Sequence, residues 1–305
     1  IGFGCSVPAI MATRTLESRR DRLTTMLVIP LMSCGARLPI YALIAPAFFP
    51  RWHHAVTWTM YVIGMGLAVL GAKFLRMVVF RGETTPLVME LPPYRVPTAR
   101  SVATHMAERG WLYLRKAGTI ILAISVVMWA LTQYPVKSSF DRDYDGLIAS
   151  AEAVGDGEAV ELLATSRQAE LLAYSAAGRI GRVVEPVLRP LGFDWRVGTA
   201  LIGAFAAKEV FVSQMGVVFA VGHAEEESQA LREKLQEAYS PLVGFCIMLY
   251  CLISTPCMAT VAVTRRESGS WGWAMAQLGG LTALAYVLTL GVHQAGVLLG
   301  IGVGG

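Results

Sequence analysis

Long apolar segments alternate with short charged segments along most of the chain, which is the pattern of a protein that crosses a membrane several times. A spanning helix needs about 20 mainly apolar residues. We predict six spans on this criterion, at 23–49, 55–80, 111–133, 197–222, 241–264 and 268–305. The sequence therefore predicts an all-α fold, a polytopic bundle of transmembrane helices.

Two apolar segments of the chain are interrupted by helix breakers. The first is the amino-terminal segment, where Gly4, Cys5 and Pro8 lie close together, and the second contains Pro256 and Cys257. Glycine and proline weaken a helix, and non-helical backbone at membrane depth is tolerated only where protein or a water-filled path covers it. Paired interrupted segments indicate the central site of a transporter, so we predict a transport path here.

The two interrupted segments also share short stretches of sequence. Met11-Ala12-Thr13 recurs as Met258-Ala259-Thr260, and the tail 13–18 resembles the tail 264–268. The alternative is a chance similarity between two proline-containing membrane helices, since short apolar motifs recur easily. We interpret the similarity as an internal repeat. The residues predicted to line the path are Gly4, Pro8, Met11, Thr13, Gly35, Pro256, Met258 and Thr260.

The polar segments predict the domain organisation and the orientation. Residues 135–195 carry ten acids and six bases and predict a net acidic, mostly helical insertion outside the membrane, which divides the chain into 1–133, 134–195 and 196–305. Short loops rich in Lys and Arg remain in the cytoplasm, and 14–22 and 81–116 carry four and six such residues. This orientation predicts a cytoplasmic carboxyl terminus and places Arg265 and Arg266 outside, against the same rule.

Composition agrees with a membrane protein, because 54% of the residues are hydrophobic and 16% are charged, against about 25% charged in soluble domains. The net charge of +4 is not gathered into like-charged blocks, which argues against a nucleic-acid partner. The sequence contains no G-x-x-x-x-G-K-[ST], H-E-x-x-H or G-x-S-x-G motif, so we expect no enzyme activity from this chain. It begins inside a motif, and we expect it to be a fragment.

Cysteines beside helix breakers are the leading candidate ligands. Three cysteines adjoin a glycine or a proline: Cys5, Cys34 and Cys257. A breaker frees backbone carbonyls next to the sulfur, and a mixed sulfur and oxygen site suits a transition metal. Free cysteine is also a common small buried hydrophobe, and we favour that interpretation for Cys246 and Cys251.

Several ionisable residues within or beside the predicted spans are weaker candidates. Glu209 lies in the fourth span, and an acid at that depth is a functional-site hypothesis. We predict a metal ligand or a cation relay there, with local pairing of Glu209 and snorkelling of Lys208 as the alternative. Arg37 is expected to hold helices together, because its charge repels a cation. His53 and His54 form an ordinary loop or gather metal at an entrance.

Three motifs, taken together, resemble one known family. They are Gly2-Phe3-Gly4-Cys5-Ser6-Val7-Pro8-Ala9, Met32-Ser33-Cys34-Gly35-Ala36-Arg37-Leu38-Pro39 and Pro256-Cys257-Met258-Ala259-Thr260. In this order they resemble the membrane part of the ferrous iron transport protein B family (FeoB), and the resemblance covers essentially all 305 residues. It implies that the interrupted segments are paired Gate segments. It also implies that Cys5, Cys34 and Cys257 are pore cysteines, and that 207–210 matches a motif around an intramembrane acid.

The resemblance implies uptake of Fe²⁺ across the bacterial inner membrane. It also implies coupling through GTP and Mg²⁺ to an amino-terminal GTPase domain, which we expect in cis or on another chain. The other implied partners are membrane lipid, a small cytosolic protein A homologue and further copies of the same chain. A Gate-type carrier of nucleosides or other organic solutes, a thiol-dependent membrane enzyme and a non-transporting scaffold remain as alternatives. Ligand softness does not separate Fe²⁺ from Mn²⁺ or Zn²⁺.

Overall fold

The structure is a computed structural model that describes residues 2–80, 142–155, 157–219, 229–254 and 257–300, with scattered positions between 98 and 140. Every regular element with described bounds is helical. Among the described residues, four segments are long and apolar enough to cross a membrane: Arg19–Phe48, His53–Val78, Pro241–Ser268 and Trp271–Leu298. The predicted all-α membrane fold is therefore confirmed. The third predicted span, 111–133, lies largely outside the described residues.

The α-helices with described bounds are, in chain order, α1 (Ser6–Ala12), α2 (Arg19–Val28), α3 (Leu38–Phe48), α4 (His53–Val78), α5 (Tyr144–Val154), α6 (Gly157–Tyr174), α7 (Ala176–Leu188), α8 (Trp195–Ala206), α9 (Val210–Val218), α10 (Gln229–Ala238), α11 (Pro241–Ile253), α12 (Met258–Ser268) and α13 (Trp271–Leu298). Short 3-10 turns occupy Thr13–Thr15, Ile29–Leu31, Gly35–Arg37 and Arg189–Leu191. The described part of the predicted insertion is thus helical, and its status as a separate domain stays a prediction.

Contacts between helix termini define one end of the bundle. Arg76 near the end of α4 pairs with Asp21 at the start of α2. Arg14 and Arg22 pair with Glu267 at the end of α12, 2.5 Å and 3.0 Å from its carboxylate oxygens. We call the end formed by these five residues the basic end.

Glycine contacts define the opposite end of the bundle. A Cβ at Gly244, near the start of α11, would collide with the ring of Phe48 at the end of α3. A Cβ at Gly296, near the end of α13, would collide with Leu242. We call the end formed by these four residues the far end. The chain therefore runs from the far end through α11 and α12 to the basic end, and α13 returns it to the far end.

The predicted fourth span is a helical hairpin and not one continuous helix. α8 ends at Ala206, Ala207 is extended with φ −148° and ψ 131°, and α9 begins at Val210. A Cβ at Gly203 in α8 would collide with the side-chain amide of Gln214 in α9. In a continuous helix these two residues would be separated by about 16 Å. The two helices therefore fold back on each other, and 207–209 forms the hairpin tip.

The hairpin changes the predicted topology. Arg265 and Arg266 directly precede Glu267, so they lie at the basic end beside Arg14. The predicted placement of this pair on the opposite side from 14–22 is wrong, because it counts the hairpin as a span. Residues 14–22 and the end of α13 thus lie at opposite ends of the bundle, whereas the sequence predicts that both are cytoplasmic.

The core of the protein surrounds α11. In the most apolar stretch of Pro241–Ser268, 75% of the residues are buried. The corresponding share is 17% for His53–Val78 and 22% for Trp271–Leu298. α11 is therefore central, while α4 and α13 present most of their surface outward. The largest fully buried side chains come from the helices and connections around α11 and include Tyr41, Phe193, Phe211 and Met215.

Candidate functional site

The three cysteines beside helix breakers occupy the same structural position. Each directly precedes a helical turn: Cys5 precedes α1, Cys34 precedes the turn Gly35–Arg37, and Cys257 precedes α12. Their backbones are not helical, with ψ angles of 135°, 162° and 155° in that order. All three are half-buried, whereas Cys246 and Cys251 are buried within α11. The latter pair therefore fits the interpretation as small buried hydrophobes.

Backbone contacts bring the three cysteine-bearing segments together. The amide nitrogen of Gly35 donates to the carbonyl oxygen of Gly4 at 3.1 Å, which joins the residue after Cys34 to the residue before Cys5. A Cβ at Gly35 would lie 3.4 Å from the same oxygen, which is ordinary van der Waals contact. α1 also packs against α12, the helix that follows Cys257.

The shared Met-Ala-Thr sequence is not a structural repeat. Thr13 follows the last residue of α1, whereas Thr260 lies in the first turn of α12. The same Met-Ala-Thr sequence therefore lies at the end of α1 and at the start of α12. The structurally equivalent residues are Cys5 and Cys257, which both occupy the N-cap position of a helix. Cys257 Sγ lies 3.2 Å from the hydroxyl of Thr260, whereas the hydroxyl of Thr13 donates to the carbonyl of Ile10 at 2.6 Å.

The remaining predicted path residues differ in exposure. Gly4 and Gly35 are exposed, Pro8, Met11 and Met258 are half-buried, and Thr13 and Thr260 are buried. Pro256 lies outside the described residues. The prediction that these residues line a path stays a prediction.

Glu209 lies at the hairpin tip, directly before α9, with an exposed side chain. Its predicted role as a ligand stays a prediction. The neighbouring Lys208 faces the other way and is only 4% exposed. The alternative in which Lys208 snorkels to an interface is therefore wrong.

Lys208 is the residue of the site that sequence reasoning undervalued. Its Nζ donates to the carbonyl oxygens of Cys251 at 2.8 Å and Ser254 at 3.2 Å, at the end of α11. The sequence did carry a signal for this role: a lysine within an apolar segment, whose charge needs a buried partner.

Arg37 satisfies two backbone carbonyls of the segment that carries Cys34. Its guanidinium donates to the carbonyl oxygens of Met32 and Pro30, both at 2.8 Å, and Arg37 is 2% exposed. These carbonyls lie between α2 and α3, where a 3-10 turn and extended backbone interrupt the regular pattern of helical hydrogen bonds. The contacts agree with the expectation that Arg37 holds this part of the helix bundle together.

Glu267 joins the first interrupted segment to the second. It is 8% exposed and accepts hydrogen bonds from Nε of Arg14 at 2.6 Å and from Nη2 of Arg22 at 3.0 Å. The Arg22 guanidinium also donates to the Glu267 carbonyl at 2.9 Å. The hydrogen bond to Glu267 raises the pKa of Arg14 further above its ordinary value. The carboxylate is thus satisfied by two guanidinium groups.

A cleft of about 800 Å³ opens beside the first cysteine-bearing segment. Its lining includes Phe3, Tyr41, His53, His54, Trp58 and Tyr61. The imidazole centroids of His53 and His54 are 3.8 Å apart, in the first turn of α4 and thus at the far end. Because Phe3 directly precedes Gly4 and Cys5, the cleft connects the far end with this segment.

Within the part of the chain that the structure describes, no group of three or more His, Cys, Asp or Glu side chains is placed to hold a metal ion. The three cysteine-bearing segments meet, but their thiols do not form one ligand cage with other side chains. A transported ion must bind weakly enough to leave, and freed backbone carbonyls supply such ligands.

Two family models match the chain. The model described as nucleoside recognition (Gate) matches residues 1–48 and 114–271. The model described as ferrous iron transport protein B C terminus matches residues 57–109. Together these matches cover both interrupted segments and most of α4.

Curated proteins from several organisms are similar over nearly the whole chain. A Fe(2+) transport protein A/Fe(2+) transporter FeoB fusion protein of Porphyromonas gingivalis is 42% identical over 98% of this chain and 37% of its own length. The Fe(2+) transporter FeoB of Helicobacter pylori is 38% identical over 95% of this chain and 46% of its own length. The Fe(2+) transporter FeoB of Methanocaldococcus jannaschii is 38% identical over 98% of this chain and 41% of its own length. The chain thus spans less than half the length of these relatives. No solved structure matches it.

Proposed function

We propose that this chain, which belongs to the ferrous iron transport protein B (FeoB) family as its Gate and carboxyl-terminal membrane region, forms the membrane route of a ferrous-iron transporter. The observation that carries the proposal is the similarity, over 95% and 98% of the chain, to relatives named Fe(2+) transporters. The four membrane-capable segments fit a multi-pass protein, and we place it in the bacterial inner membrane.

The proposed route passes the cysteines that precede the helical turns. Fe²⁺ is the substrate, and thiolate sulfur together with carbonyl oxygen suits a transition metal of intermediate softness. Cys5, Cys34 and Cys257 are half-buried, so they remain within reach of a passing ion. Glu209 is a further ligand in this proposal.

The distribution of charge suggests the direction of uptake. The basic end carries Arg14, Arg22, Arg76 and the pair Arg265 and Arg266, and positive residues favour the cytoplasmic side. The far end, with His53 and His54 in its cleft, is then external. On this orientation Fe²⁺ enters at the far end and leaves at the basic end, and Leu298 lies outside.

The proposal is tested by anaerobic uptake of Fe²⁺ into proteoliposomes that contain the full-length polypeptide. We expect saturable uptake that is lost in the Cys5→Ala, Cys257→Ala double variant. Cys246→Ala is the matched control, because Cys246 is buried in α11 away from the breaks. An inactive wild-type protein overturns the proposed transport. Uptake that persists in the double variant removes the two thiols from the route.

Nucleotide coupling and partners form a second part of the proposal. We propose that GTP and Mg²⁺ act through a GTPase domain in cis or on another chain, and that this chain does not itself hydrolyse nucleotide. A small protein A homologue is the proposed cytosolic partner. The fusion of transport protein A to transporter FeoB in the Porphyromonas gingivalis relative supports this partner.

A nucleoside carrier is the second candidate function. Two observations favour it: the description of the Gate model as nucleoside recognition, and the aromatic lining of the far-end cleft by Tyr41, Trp58 and Tyr61. Uptake of radiolabelled uridine into the same proteoliposomes tests it. Uridine entry without Fe²⁺ entry would favour this candidate, and the reverse result would exclude it.

A further inference from the structure

The break between α11 and α12 leaves backbone carbonyls without helical partners. The segment Pro241–Ser268 is long enough to span a membrane, and α11 ends in its middle at Ile253. The last carbonyls of a helix have no partner within the helix, and at membrane depth they require one from elsewhere in the protein. Here the carbonyls of Cys251 and Ser254 receive that partner from a different element, the tip of the α8–α9 hairpin.

The partner is a full positive charge. Nζ of Lys208 lies 2.8 Å from the Cys251 oxygen and 3.2 Å from the Ser254 oxygen, and the residue is 4% exposed. Among the described residues no carboxylate pairs with Lys208. The carbonyl oxygens are therefore its direct polar partners. Carbonyls of unwound helices are also the groups that hold cations in transporters with interrupted helices.

We propose that the carbonyls of Cys251 and Ser254 form a cation-binding site on the Fe²⁺ route. The Lys208 ammonium occupies this site as a tethered cation and must withdraw before an ion binds. The inference rests on the proposed function, because it takes Fe²⁺ to be the ion. An ammonium and a divalent ion on the same two oxygens repel each other strongly at this depth, so occupation is exclusive.

Lys208 differs from Arg37, the other buried cation on freed carbonyls. Arg37 binds carbonyls five and seven residues before it, within its own segment. Lys208 reaches carbonyls 43 and 46 residues after it, from a separate hairpin. A compact ammonium on a flexible stem also leaves its site more readily than a planar guanidinium held by two nitrogens. Movement of the hairpin tip therefore withdraws Lys208, whereas Arg37 stays with its own carbonyls.

Anaerobic titration of Fe²⁺ onto the full-length protein, without nucleotide, tests this inference. Lys208→Gln removes the charge and keeps a donor for the carbonyls, and we expect it to bind Fe²⁺ at least tenfold more tightly than wild type. Lys208→Arg keeps the charge and is expected to bind no more tightly than wild type. Lys73→Gln, at an exposed lysine of α4, is the matched control and should bind as wild type does. Unchanged or weaker binding by folded Lys208→Gln overturns the inference.

A second measurement needs no variant at position 208. Saturation of the wild-type protein with Fe²⁺ should release the Lys208 amine and raise its acetylation by a small amine reagent several-fold, as read by mass spectrometry. Equal acetylation with and without Fe²⁺ contradicts the inference. If wild type transports Fe²⁺ but neither measurement responds, the inference alone fails. If wild type transports no Fe²⁺, the proposed function fails first.

Discussion

The guanidinium of Arg14 holds both carboxylate oxygens of Glu267, with Nε 2.6 Å from Oε2 and Nη2 2.5 Å from Oε1. The two residues are 253 positions apart in sequence. Arg14 follows α1 and Glu267 lies in the last turn of α12, so the contact joins the helices that begin after Cys5 and Cys257. A charged pair at the basic end thus fixes the relative position of the two interrupted segments.

Loss of the Glu267 carboxylate should destabilise this connection. In Glu267→Gln, Arg14 and Arg22 lose their shared acceptor charge, and we expect a stability loss of about 2 kcal/mol, because hydrogen bonds between charged groups contribute about 1.5–3 kcal/mol and the half-exposed Arg14 is partly screened. The measurement is the thermal unfolding midpoint in detergent. Glu17→Gln, an exposed acid in the tail after α1, is the control. Equal midpoints for both variants would show that the pair contributes no stability.

The hairpin predicts a marked difference between two glycine substitutions. Gly203→Ala places a Cβ against the Gln214 amide, whereas Gly66→Ala in α4 meets no atom within 4 Å. We expect Gly203→Ala to lose about 1 kcal/mol through overpacking, the lower end of such costs, because the added Cβ meets the far end of the flexible Gln214 side chain. Gly66→Ala should be neutral or slightly stabilising, because alanine favours a helix by about 1 kcal/mol over glycine. The measurement is the thermal unfolding midpoint of each variant relative to wild type. Equal shifts for the two variants would contradict the close packing of α8 on α9.

The basic end predicts which positions share one side of the membrane. A cysteine introduced at Arg266 should be labelled by an impermeant thiol reagent from the same side as one introduced at Arg20. A cysteine introduced at His54 should be labelled from the opposite side. Mass spectrometry of labelled vesicles identifies the modified position and separates it from the native cysteines. Labelling of Arg266→Cys together with His54→Cys would restore the topology predicted from sequence.

A tyrosine at the far end predicts a dependence of stability on alkaline pH. The Tyr239 hydroxyl donates to Oδ1 of Asp194 at 2.6 Å, and burial, followed by the Asp194 charge, raises the pKa of Tyr239. The unfolded chain releases this proton near pH 10, whereas the folded protein retains it. The stability that Tyr239 contributes is therefore complete below about pH 10 and is lost as the pH rises above that value.

The corresponding variant is Tyr239→Phe. Its unfolding midpoint should be lower than that of wild type at pH 8, and the difference should shrink between pH 10 and 11. Tyr134→Phe removes a hydroxyl from an exposed tyrosine and controls for the substitution itself. A difference between wild type and Tyr239→Phe that stays constant over this range would rule out the predicted linkage.

The sequence by itself determined the helical class, four of the spans and the helix interruptions beside Cys5, Cys34 and Cys257. These properties follow from local composition, because about 20 apolar residues are enough for a span and clustered glycines and prolines weaken a helix. The cysteines beside Gly4, Gly35 and Pro256 could be singled out for the same reason. Their common position before a helical turn follows directly from the adjacent breakers.

Only the tertiary structure decided how these parts meet. The chain reverses at Ala207, where no glycine or proline marks a break, and Lys208 at that tip binds carbonyls of α11. The partner of Arg14 is likewise distant in sequence. Hydrophobic periodicity is a local signal, so it cannot identify the charge that satisfies a carbonyl or a carboxylate on another helix. The desolvation cost of leaving those groups unpaired selects the partners, and that cost exists only once the helices have packed.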